Sequence, residues 1–264
     1  MRQILIITAS LILCLVQSCI WEDRSGCPTY LRLDLSNIPD TISHINLAIT
    51  GNGNVMTDTV MSKDFNRSYE VRIKRGHTRI AAFGNTDRMT GDKEGLRIER
   101  GNDADNIYTC FISAVYDQDL SFDTLYLHKN NIGLHIRIFG EASDSLNITV
   151  KSTSVGYGLD GRILTGEFLH HPSTTHYTPP EGKAYFEFFS RITRQSDESL
   201  SITVFSTSRT PAAVILLSGF LEEAGIDMTD EDLKDLFLTL DLSVPRLTIS
   251  PESWDATDYT EILI

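Results

Sequence analysis

Apolar and polar residues alternate with a period of two in short runs along most of this chain. Leu31, Leu33 and Leu35 enclose Arg32 and Asp34, and Ile45, Leu47 and Ile49 follow. Tyr69, Val71 and Ile73 alternate with Glu70, Arg72 and Lys74, turn at Gly76, and resume from Arg79 to Phe83. Later runs repeat the style at Ile132, Leu134, Ile136 and Ile138, at Leu146, Ile148 and Val150, and from Ala184 to Phe189. Leu200, Ile202 and Val204, then Leu247 and Ile249, complete the series. Successive side chains of a strand point to opposite faces, so this pattern predicts half-buried strands and an all-β fold.

The first two runs echo themselves about 100 residues later, as Leu134/Ile136/Ile138 then Leu146/Ile148/Val150. That shift is the length of one immunoglobulin-like sandwich, so it predicts two similar β-sandwich domains in tandem. The seam falls near residues 123–129, giving domains over 27–127 and 128–264. Helix is expected only within residues 212–240, a minor element of the second domain. Leu216, Leu217, Phe220 and Leu221 have helical spacing, and residues 229–232 read as an N-cap with an acidic first turn. Leu233, Leu236 and Phe237 then share one face of a second helix.

The N-terminus breaks the pattern. Arg2 precedes an apolar run from Ile4 to Val16, too short to span a bilayer and of the length of an export signal. Val16-Gln17-Ser18-Cys19 matches the lipobox of bacterial lipoproteins. Cleavage would remove a signal peptide over residues 1–18 and leave Cys19 as the lipid attachment site, anchored stably because more than one acyl chain is added. The alternative is an ordinary secretory signal cut elsewhere. Residues 19–26 form a short polar tether, whose Glu22 and Asp23 resemble surface-export signals of Bacteroidetes lipoproteins.

Charge narrows the partners. With 36 Asp and Glu against 23 Lys and Arg, the net charge of -13 repels phosphate backbones, so nucleic acid is not an expected partner. Of the 4 cysteines, Cys14 leaves with the signal and Cys19 takes lipid, so Cys27 and Cys110 remain. Outside the cytoplasm they form either one disulfide or two buried free thiols. No Cys-x-x-Cys occurs, which excludes a redox motif or zinc ribbon.

Candidate chemistry is thin. His170, His171 and His176 are close enough in sequence to chelate a metal, but Pro172, Pro179 and Pro180 predict a loop and no carboxylate completes the set. The acidic residues Asp227, Asp230, Glu231, Asp232 and Asp235 lack the glycine and glutamate spacing of a calcium loop and predict a solvated helix face. Residues 101–106 form a polar loop rather than a phosphate cradle, because nothing helical follows. There is no Gly-x-Ser-x-Gly motif. Neither a catalytic set nor a cofactor or metal site is predicted.

Taken together, the lipobox cysteine, Gly26-Cys27-Pro28 leading into Leu31-Arg32-Leu33, Arg79 to Asn85, and Ile249-Ser250-Pro251-Glu252-Ser253-Trp254 before an alternating C-terminal strand resemble the FimB-like anchoring subunits of Bacteroidales type V fimbriae. The resemblance implies two transthyretin-like sandwiches, an outer-membrane lipid anchor at Cys19, and a surface-exposed place at the base of a fimbrium. There the protein would contact fimbrial structural subunits, hold the polymer to the cell and influence its assembly or length, with no enzymatic step.

Competing classes are a lipidated accessory or tip subunit of the same fimbriae, a surface glycan-binding lipoprotein presenting aromatic platforms, and an all-β surface hydrolase. Residues 258–264 alternate as a strand that either completes the second sandwich or is offered to a neighbouring subunit.

Overall fold

The alternating strands bury one side each between paired sheets. The computed structural model describes residues 26–141, 145–206, 209–223, 226–243, 246–251, 253–254 and 260–263. In the first half, β1 (Pro28–Asp34) is central, antiparallel to β4 (Tyr69–Lys74) and parallel to β9 (Leu120–Thr124). Facing it is a sheet ordered β10 (His128–Lys129), β8 (Tyr108–Tyr116), β5 (Gly76–Gly84), β2 (His44–Gly51) and β3 (Asn54–Met61). Leu31, Leu33, Ile45 and Ile80 are fully buried or nearly so between the sheets. Each such side chain stabilises the fold by about 2 kcal/mol relative to exposure.

The second half is built likewise. One sheet runs β14 (Thr174–Tyr177), β15 (Tyr185–Thr193), β11 (Asn131–Phe139), β18 (Leu236–Asp241), β19 (Arg246–Pro251) and β20 (Thr260–Leu263). It packs on β17 (Arg209–Leu216), β16 (Ser201–Ser206) and β12 (Asn147–Gly158), with β13 (Ile163–His170) also paired to β12. The internal echo is thereby a structural repeat. Central β11 lies antiparallel to β15 and parallel to β18, as β1 does to β4 and β9. The order β8-β5-β2-β3 is matched by β17-β16-β12-β13.

The two main cores draw on residues 31–127 and 132–249. Between them runs a crossover that periodicity did not place. Residues 85–107, between β5 and β8, form an arm carrying β6 (Thr90–Gly91) and β7 (Gly95–Arg97), and β7 pairs with β12 of the second half. Phe83, Met89, Leu96, Ile107 and Tyr157 bury one another at this junction. The connection at residues 128–131 is equally tied down. Asp232 accepts the Lys129 backbone N–H at 2.6 Å, and Asp235 accepts from Lys129 Nζ at 2.7 Å and from the Gly133 N–H at 2.6 Å.

The helical expectation needs correction. Helix α1 (Leu217–Glu223) exists, but residues 213–216 belong to β17 and the second helix does not form. Asp227 Oδ1 instead caps a turn by accepting the Thr229 N–H at 2.7 Å, and Leu236, Leu238 and Leu240 are buried at strand spacing in β18. Leu233, Leu236 and Phe237 suit either period; the open slot between β11 and β19, where backbone bonds are made on both edges, decides for strand.

Candidate functional site

The internal repeat exposes one difference between the halves. In the second sandwich the outer edge of β18 is covered by β19, and β19 by β20. In the first, the outer edge of the equivalent β9 has no partner among the described residues. Beside it, β8 is paired to β10 only at Tyr108 and Thr109, so residues 110–116 also present a free edge.

A groove of about 650 Å³ opens along this flank, lined by Cys110, Ile112, Phe122, Asp123, Tyr126 and His128. Phe122 is 68% and Tyr126 57% exposed, and Val115 and Leu120 are exposed nearby. Arg32 lies 6.0 Å from the Phe122 ring and pairs with Glu70 at 2.6 Å. Beneath the groove, the buried Tyr116 Oη donates to Asp123 Oδ2 at 2.8 Å, and burial together with that carboxylate pushes the Tyr116 hydroxyl well above the usual phenol range. Unpaired backbone groups beside apolar side chains are what an added strand needs: hydrogen bonds for affinity, pockets for specificity. The sequence hid this flank because β8 and β9 have no buried-face alternation to betray them, and an exposed Phe or Tyr has no period.

Of the residues singled out from sequence, Cys110 and Glu231 line this groove and the others fall elsewhere. Cys19, Trp21 and the tether up to Ser25 lie outside the described residues. Cys27 and Cys110 are both free thiols, one exposed and one half-buried. Cys27 precedes β1 at the end where Gly76 pairs with Tyr116, whereas Cys110 lies six residues along β8 from Tyr116, about 20 Å at strand rise. A disulfide requires Cα atoms within about 7 Å. Burial pushes the Cys110 thiol above the usual range.

The loop expected from the prolines holds for His171, which lies with Pro172 in the connection between β13 and β14, but not for His170, which ends β13, or His176, which lies in β14. They do not converge. His170 Nδ1 pairs with Ser190 Oγ at 2.8 Å, His171 Nδ1 with Thr149 Oγ1 at 2.9 Å, and His176 Nε2 with the Gly140 carbonyl at 3.4 Å. The acidic cluster is a turn and not a helix face. Arg194 holds it by donating to the carbonyls of Met228 and Asp230, while Arg194 Nε reaches Asn130 Oδ1 at 2.7 Å. The polar loop at residues 101–106 contains two buried carboxylates, Asp103 and Asp105. The C-terminal strand β20 pairs with β19 of its own sheet. Trp254 lies 4.1 Å over the Arg137 guanidinium and edge-on to Phe237.

The architecture is that of two β-sandwiches in tandem. No family model matches the chain, and no curated protein sequence does. Among solved structures it is similar to a candidate polysaccharide-binding protein from Bacteroides thetaiotaomicron, with 13% identity and TM-score 0.63 over 89% of this chain and 98% of that one. It is also similar to the fimbrial anchor protein Mfa2 from Porphyromonas gingivalis, with 13% identity and TM-score 0.60 over 86% and 98%. A candidate adhesin from Bacteroides thetaiotaomicron aligns with 15% identity and TM-score 0.59 over 86% and 96%. At such identities the likeness establishes a shared fold.

Proposed function

We propose that this protein is a non-enzymatic surface lipoprotein that holds a fimbrium to the outer membrane, with Cys19 carrying the lipid and the open flank of the first sandwich receiving a strand from a fimbrial subunit. The observation that carries this reading is the outer edge of β9, which has no partner among the described residues and whose counterpart β18 is covered in the second sandwich. Because β20 is already committed to β19, the chain acts as strand acceptor at β8 and β9 rather than as donor of its C-terminal strand. The lipobox supports the anchor. Among the described residues no helix is long and apolar enough to cross a membrane, so attachment through lipid is the membrane contact proposed. The shared fold with a fimbrial anchor protein is consistent with this role.

The test has two parts. Fatty-acid labelling of cells should mark the wild type and not Cys19→Ala; equal labelling rejects the lipid anchor. Phe122→Lys with Tyr126→Lys, both exposed, should leave the melting temperature unchanged yet release fimbriae into the medium. Retained fimbriae with a stable double variant reject the flank as the docking edge.

A further inference from the structure

A second concavity lies on the opposite side of the first sandwich. The sheet order β10-β8-β5-β2-β3 places β3 at the edge remote from the open flank, and the arm rises beside the outer face of β2 and β3. Between them is a groove of about 1010 Å³. That is at the upper end of the range for small-ligand sites, which favour junctions such as this one between the two sandwiches.

The floor is apolar: Ala48, Phe83, Met89 and Leu96 line it, all buried members of the junction cluster. One wall is a relay of neutral polar groups. Thr59 Oγ1 donates to Asn46 Oδ1 at 2.6 Å, and Asn46 Nδ2 donates to Thr86 Oγ1 at 2.7 Å. The relay fixes the orientation of the amide and still leaves a second Asn46 N–H and the Thr86 hydroxyl proton to offer. Thr57, exposed on the same face, makes no side-chain hydrogen bond among the described residues. On the far wall Asp92 Oδ1 accepts the N–H groups of Glu94 at 2.7 Å and Gly95 at 3.1 Å, which leaves its second oxygen available.

The charges select among ligands. Lys93 and Asp92 both line the groove, while the Asp58 carboxylate is turned to Tyr69 on the other face of β3, so no excess of positive charge awaits a phosphate or acidic polymer on a chain whose net charge is -13. A purely apolar ligand would strip water from the amide and hydroxyls without replacing their bonds. A sugar ring has a C–H face for the floor and hydroxyls that both donate and accept for the wall. We infer that this groove binds a neutral oligosaccharide through Asn46, Thr57, Thr59 and Thr86. The walls are held in advance by the β2–β3 ladder and by the docked arm, so little ordering is left to oppose binding. The site does not depend on the anchoring role, and its distance from the flank lets both be occupied at once.

Titration calorimetry on the lipid-free chain from residue 20 to 264 tests this, with maltotetraose, cellotetraose, mannotetraose and chitotetraose as probes and tetragalacturonate as the acidic comparison. At least one neutral probe should bind with Kd of about 1 mM or tighter. Thr57→Val, at an exposed position outside the relay, and Asn46→Ala should each weaken that binding by about tenfold, while Phe122→Lys, on the remote flank, leaves it unchanged. Because Asn46→Ala also opens the relay, its melting temperature is measured alongside, and if that variant unfolds Thr57→Val alone decides. No binding by any neutral probe, binding indifferent to Thr57→Val, or preference for the acidic probe would each overturn the inference.

Discussion

Arg88 and Asp105 close the two ends of the arm on each other. Arg88 Nε donates to Asp105 Oδ1 at 2.8 Å, and Asp105 Oδ2 accepts the backbone N–H groups of Arg88 at 2.7 Å and Met89 at 3.0 Å. Arg88 also reaches Asp103 at 2.7 Å and the Ala104 carbonyl at 3.0 Å. Asp105 is 4% exposed, so removing it leaves buried donors with no acceptor. Asp105→Ala is expected to cost about 3 kcal/mol in urea unfolding. Arg88→Met should cost less, because its side chain is 49% exposed and the loss is screened by water.

The docking of the arm depends on two glycines. A Cβ at Gly156 would lie 1.9 Å from the Leu96 carbonyl oxygen, and one at Gly95 would lie 2.0 Å from that of Tyr157. Both obstacles are backbone, which cannot swing away as a side chain can. Gly156→Ala should therefore separate β7 from β12, seen as fast amide exchange at residues 95–97 and a lower melting temperature. Exchange as slow as in the wild type would contradict the contact.

The two thiols should behave differently. Without reductant, intact mass after alkylation of the lipid-free chain should show two adducts, with Cys27 modified quickly and Cys110 slowly. Cys27 is exposed, whereas Cys110 is half-buried with its thiolate disfavoured by burial. A Cys27–Cys110 linked peptide would refute the separation of the two strand ends.

His170 gives the fold an acid sensitivity. Burial lowers its pKa below the ordinary value of 6.5, against the raising effect of Asp103 and with help from His171 and Arg88. The unfolded chain then binds the proton more readily than the folded one, so stability is full above about pH 6.5 and falls as pH drops through that value. His135, stacked on Phe237 at 4.3 Å and also lowered by burial, acts in the same direction. The melting temperature should fall from about pH 7 to about pH 5, and fall less in His170→Asn, which keeps a partner for Ser190. An equal slope in the variant would remove His170 from the account.

Strand positions were readable in the sequence because alternation is a local signal: Leu31 and Leu33, or Ile136 and Ile138, declare a buried face within a few residues. The tandem repeat was readable for the same reason, since β1/β2 and β11/β12 carry the same pattern and occupy the same places. Non-local decisions were not. Leu233, Leu236 and Phe237 satisfy two periods, and only the open slot between β11 and β19 made the segment a strand. Pro172, Pro179 and Pro180 said loop and do lie in the connections on either side, while pairing with β15 made a strand of residues 174–177 between them. By itself the sequence determined an all-β chain with two echoing halves, because period two and burial are properties of neighbouring residues. Only the tertiary structure decided which edge of β9 stays open, where the arm docks and which hydroxyls share a groove with Asn46, because those depend on what lies across space from each residue.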